Sequence, residues 1–106
     1  MLSPSAHIDT FARDNLPPVD QWPEFNLDFF DYPDHLNAAF ELTDKMVSAG
    51  FGDNTALIGN GRRRTYKELT DWSNRLAHAL VEDLGVKPGN RVLIRSANNP
   101  AMVACW

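Results

Sequence analysis

Lys87-Pro88-Gly89-Asn90-Arg91-Val92-Leu93-Ile94-Arg95-Ser96-Ala97-Asn98-Asn99-Pro100 is the stretch that decides how this chain folds. Lys-Pro-Gly-Asn suits a type II turn, because Pro88 presets φ and Gly89 accepts the positive φ that follows. Val92-Leu93-Ile94, set between two arginines, reads as a short strand with an apolar centre. Asn99 then offers an N-cap and Pro100 a first helical position, where the missing proline N–H would have had no partner anyway. Strand followed directly by helix is the rhythm of an α/β domain, whose sheet is covered on both faces.

Upstream of that stretch lies the clearest element. Thr65-x-x-Glu68 is a capping box, in which hydroxyl and carboxylate satisfy free N–H groups at a helix start. The helix is expected to run to Leu84, with Leu69, Trp72, Leu76, Leu80 and Leu84 as its core stripe and Gly85 as its C-terminal cap. Before it, Thr55-Ala56-Leu57-Ile58 and Arg62-Arg63-Arg64-Thr65 flank Gly59-Asn60-Gly61. Asn-Gly takes positive φ at both turn positions at little cost, so the two segments are expected to form a hairpin. From Leu36 the spacing of Leu36, Ala39, Phe40, Met46 and Val47 predicts a further helix, ended by Gly50 in a left-handed conformation.

Composition changes near residue 35. Five of the seven prolines and six aromatic residues (Phe11, Trp22, Phe25, Phe29, Phe30, Tyr32) precede it, together with seven acids against Arg13 alone. Proline at this density forbids long helices, while so many aromatics argue against plain disorder. Residues 1–35 are therefore read as an extended aromatic arm, with a short helix around Asp9 to Asn15. Residues 36–106 are read as a partial α/β subdomain, slightly basic within a chain of net charge −4. Arg62-Arg63-Arg64 is too short a cluster for a nucleic-acid surface. The single Cys105 allows no internal disulfide, which fits a reducing cytoplasm, and the first residues lack the charge and apolar run of a secretory signal. No apolar run approaches the length of a membrane span, so neither nucleic acid nor membrane is an expected partner.

The residues carry no catalytic constellation. No serine sits in Gly-x-Ser-x-Gly, and His7, His35 and His78 have no carboxylate at a relay spacing. Glu82-Asp83 project in different directions from a helix. Gly59-Asn60-Gly61 is followed by a strand rather than a helix N-terminus, so it makes no phosphate cradle. Arg62-Arg63-Arg64 on an exposed hairpin is read as serving solubility or edge protection. No catalytic, cofactor-binding or metal-ligating residue is assigned.

Order and spacing together nevertheless carry a resemblance. Arg64-Thr65-Tyr66-Lys67-Glu68-Leu69, Asn74-Arg75-Leu76-Ala77-His78-Ala79-Leu80, Asp83 through Arg95 and Asn98 through Trp106 resemble the N-terminal region of the AMP-forming acyl-CoA synthetases, the adenylate-forming ligase superfamily. His7 through Pro18, with Trp22-Pro23, resembles the leader of the benzoate- and 2-aminobenzoate-CoA ligase branch. The resemblance implies an incomplete N-terminal piece of a layered α/β ligase domain: an extended arm, a β-hairpin, a long helix and a following strand. It implies a parent enzyme that uses ATP and Mg²⁺ to turn a carboxylate into an acyl-adenylate, then passes the acyl group to coenzyme A. The family's phosphate loop, its Tyr-Gly-x-Thr-Glu motif, its ribose-binding Asp and its catalytic Lys match no segment here. The piece itself is therefore expected to bind no cofactor and to be inactive.

The apolar run Ala101-Met102-Val103-Ala104-Cys105-Trp106 shows no helix stop signal, and the chain is expected to be cut there. Its expected partner is the remainder of the parent enzyme. Alone, it is expected to self-associate through an unpaired sheet edge and the face around Met102, Val103 and Trp106. The competing reading is a stand-alone, non-catalytic α/β interaction module whose aromatic arm docks a partner protein.

Overall fold

A computed structural model describes residues 10–24, 26, 29–31, 33 and 35–106. The order of elements is helix α1 (Phe11–Asp14), a 3₁₀ turn (Val19–Gln21), α2 (Ala38–Leu42), α3 (Asp44–Met46), strands β1 (Thr55–Gly59) and β2 (Arg62–Thr65), helix α4 (Tyr66–His78) and α5 (Pro100–Cys105). The fold is mixed α/β, a two-stranded antiparallel sheet packed among helices.

The hairpin and α4 follow from their sequence signals. Asn60 and Gly61 take φ of 53° and 71°, the paired positive values of a type I′ turn, whose twist matches the flanking strands. Thr65 Oγ1 accepts from the Glu68 N–H at 3.2 Å while the Glu68 carboxylate accepts from the Thr65 N–H at 2.8 Å. After His78 the helix continues as a π turn (Ala79–Asp83) and closes at Gly85, φ 64°, with the Val86 N–H donating to the Leu80 carbonyl at 2.9 Å. Along the expected stripe, Leu69 is buried, Trp72, Leu76 and Leu80 are half-buried, and Leu84 is exposed. Leu84 leaves the stripe because the π turn delays it past the covered face.

The expected helix from Leu36 to Gly50 is broken. Asn37 caps α2 by accepting from the Phe40 N–H at 3.1 Å, and Thr43, at φ −124° and ψ −75°, interrupts the run. The Thr43 hydroxyl lies 2.7 Å from the Ala39 carbonyl oxygen it donates to, a back-bond that competes with helix continuation. Gly50 nonetheless takes the expected left-handed conformation, φ 86°.

The Lys87–Asn90 turn is present, with Gly89 at φ 90° and the Asn90 N–H donating to the Lys87 carbonyl at 3.0 Å. The strand expected at Arg91–Arg95 is not formed as such. Residues 91–97 run without regular structure and Leu93 is 93% exposed. A strand exists through a neighbour's hydrogen bonds, and the described sheet consists of β1 and β2 alone. Helix α5 then starts as read, with Asn99 Oδ1 accepting from the Met102 N–H at 3.1 Å.

The core sits where α4 meets β1 and α5. Leu69, 5% exposed, and Ala104, 6% exposed, are its buried apolar residues among those described. In the arm, α1 starts at Phe11, and the Trp22 indole N–H donates to the Pro17 carbonyl at 2.8 Å. Neither α1 nor the 3₁₀ turn packs on another described element. Phe25 and Tyr32 lie outside the described residues, as does His7.

Candidate functional site

The hairpin register decides what its faces carry. The two-residue turn sets Gly59 opposite Arg62, Ile58 opposite Arg63 and Leu57 opposite Arg64. Directly opposed residues share a face, and successive residues alternate. Leu57, Gly59, Arg62 and Arg64 therefore belong to the face that α4 and α5 cover, while Ile58 and Arg63 face outward. Two contacts fix this assignment: the Arg64 guanidinium stands 4.5 Å from the Trp72 ring centroid on α4, and Gly59 abuts Pro100 at the start of α5. Ile58, on the opposite face, is 72% exposed.

Arg62-Arg63-Arg64, read as serving solubility or edge protection, is divided between the two faces of the hairpin. Alternation along β2 puts Arg62, which is exposed, and Arg64, which is half-buried, on the α4/α5 side and Arg63 on the other. Arg62 and Arg64 line a cleft of about 300 Å³ together with Asn60, Trp72 and Asn99. Trp72, read as one more core residue, supplies the ring of the cation–π contact. Combining its place in the stripe with the period of the hairpin would have found the pair in sequence.

A larger groove of about 810 Å³ opens between α2, β1, α4 and α5, with Phe40, Leu57, Leu69, Leu80, Val103 and Trp106 among its walls. It is an apolar furrow continuous with the small core. Asn37 at its edge is occupied in capping α2.

No catalytic residue was assigned from sequence, and the geometry assembles no such set among the described residues. His35, His78, Glu82 and Asp83 are exposed. The hydroxyls of Ser48 and Ser96 donate to the backbone carbonyls of Asp44 and Ala97. No group of three or more His, Cys, Asp or Glu among the described residues is placed to hold a metal ion. ATP with Mg²⁺ calls for carboxylates around the cation and free N–H groups around the phosphates. The described residues do not fit that group, and no chemical step is derived through it. Thr70 Oγ1, on α4, is buried with no hydrogen-bond partner. No helix among the described residues is long and apolar enough to cross a membrane.

A family model described as AMP-binding enzyme matches residues 45–106. The acetyl-coenzyme A synthetase of Streptomyces coelicolor is 40% identical over 79 residues, which is 66% of this chain and 12% of that protein. The 3-hydroxybenzoate–CoA/4-hydroxybenzoate–CoA ligase of Thauera aromatica is 37% identical over 71 residues, 67% of this chain and 13% of the ligase. A 3-hydroxybenzoate–CoA ligase of Aromatoleum is 38% identical over 69 residues, with 65% and 13% covered. The chain thus spans about an eighth of the length of the curated relatives it matches. No solved structure matches it.

Proposed function

The chain belongs to the AMP-binding enzyme family, and on that premise we propose that it serves as N-terminal scaffold in a cytoplasmic acid–thiol ligase. The reaction proposed for the parent is, in sum, the joining of a carboxylic acid to the thiol of coenzyme A with ATP cleaved to AMP and pyrophosphate. The family match over residues 45–106 carries this reading. The residues of this chain act in it by position: the capped α4 and the hairpin hold a surface on which a sheet is laid. The piece by itself is taken to be inactive, because the family's phosphate loop and catalytic Lys motifs match no segment of it.

The acid we propose is aromatic, of the benzoate or 2-aminobenzoate kind. Two observations support this: hydroxybenzoate–CoA ligases stand among the relatives, and His7 through Pro18 resembles the leader of the aryl branch. Acetyl-coenzyme A synthetases stand among the relatives too, so the test is competitive. Coenzyme A thioester formation by the gene product that contains this segment is measured with benzoate, 2-aminobenzoate, 3-hydroxybenzoate and acetate. A kcat/KM at least tenfold higher for an aryl acid supports the proposal, and a preference for acetate overturns it.

A second reading, a partner-docking module, has one observation in its favour. Phe29 and Phe30 meet as a tilted pair, ring centroids 4.2 Å apart and planes 43° from parallel, while both stay exposed. Deleting residues 1–35 separates the two readings: intact folding with loss of a partner supports the module, and collapse of folding supports the scaffold.

A further inference from the structure

The face of the hairpin under α4 and α5 is mixed in polarity, with Leu57 and Gly59 on β1 set opposite Arg64 and Arg62 on β2. The face under α4 and α5 would ordinarily be the apolar one, yet it carries Arg62 and Arg64, while Ile58 is left on the open face. Arg64 is half-buried and Arg62 is exposed at the mouth of the cleft, so the two present positive charge that an anion can reach. The ion pair found among the described residues joins Lys45 to Glu41, in a different part of the molecule, and among the described residues no carboxylate lines the cleft.

We propose that the cleft between the β1–β2 turn and the start of α5 binds a multiply charged oxyanion of the phosphate class through Arg62 and Arg64. The inference goes beyond the ligase reading and does not depend on it. Arg64 lies over the Trp72 ring at 4.5 Å. A guanidinium held over an aromatic ring by a cation–π contact keeps N–H groups with which to donate. Arg62, two residues away on the same face, stands about 7 Å along the strand. Two long arginine side chains rooted on one face can converge on a multiply charged phosphate anion, whose oxygens accept bidentate pairs. Recognition would be by side chains, so the objection that the glycine turn forms no backbone cradle does not apply. The cleft, at about 300 Å³, takes a short phosphate chain.

The test follows the indole N–H signals of the ¹⁵N-labelled chain while inorganic pyrophosphate is added at fixed ionic strength. Trp22 and Trp106 serve as internal references. Saturable movement confined to Trp72 is expected. Arg62→Ala and Arg64→Lys are each expected to weaken binding at least fivefold, the second because it keeps the charge but loses the fork. Arg63→Ala, on the opposite face, is expected to change it less than twofold. Arg62 is exposed, so Arg62→Ala decides the matter if an Arg64 variant fails to fold. Tripolyphosphate and ATP form two further arms: equal affinity assigns the site to the phosphate chain alone, and a tenfold gain for ATP assigns it to a nucleotide phosphate. Absence of saturable movement at Trp72, or a loss in Arg63→Ala as large as in Arg62→Ala, overturns the proposal. Neither result bears on acid activation, which is measured with other substrates.

Discussion

Gly59 lies so close to Pro100 that a Cβ added to it would stand 2.7 Å from the proline Cγ and 2.9 Å from its Cδ. Both distances are shorter than real side-chain contacts allow, and the proline ring, closed on its own backbone, has little freedom to yield. The absent side chain therefore lets α5 rest on the end of β1. Gly59→Ala is expected to destabilise the fold by about 1–3 kcal/mol through this overpacking. Urea unfolding followed by circular dichroism checks it, with an unchanged midpoint as the contrary result.

The capping box at Thr65 and Glu68 is formed on both sides. Thr65→Ala removes the hydroxyl acceptor and is expected to cost about 1 kcal/mol, whereas Thr65→Ser should retain most of the stability. In a domain of this size that loss corresponds to a fall of about 4–8 °C in Tm. Thermal melts of the two variants side by side give the comparison.

Thr70 presents the opposite case, a buried hydroxyl oxygen with no partner. Valine has nearly the same shape and removes the unsatisfied group, and the two residues have similar helix propensity. Thr70→Val is expected to raise stability by about 1 kcal/mol. A loss of that size in urea unfolding would show that the hydroxyl is satisfied in solution.

How much of this was legible in the sequence depends on the range of the forces involved. Thr65-x-x-Glu68, Asn60-Gly61, Gly85, Pro88-Gly89 and Asn99-Pro100 each declared their local structure, because caps and tight turns are satisfied within a few residues. The break at Thr43 was hidden, since a hydroxyl's back-bond competes with a helix that the apolar spacing otherwise supports. Arg91–Arg95 misled for another reason: its composition is that of a strand, but a strand is completed by a neighbour, which the described residues do not supply. The placing of Arg62 and Arg64 on the α4/α5 side needed both the register and the position of Trp72, a relation between elements that no single window contains.

We propose that the isolated chain self-associates. Leu93, 93% exposed, and Trp106, 82% exposed, leave apolar surface at the segment after the Lys87–Asn90 turn and at the end of α5. Sedimentation velocity over a concentration series is expected to show species larger than 11.9 kDa. A monomer at high concentration with a cooperative melt stands against it.

Acid-dependent AMP release is the direct test of the proposal that this segment is scaffold within an AMP-forming ligase. The gene product that contains this segment and the 106-residue chain alone are each incubated with ATP, Mg²⁺, coenzyme A and an aryl acid. AMP and thioester in equal amounts are expected from the former and neither from the latter. ADP in place of AMP, or turnover by the short chain itself, would contradict the proposal.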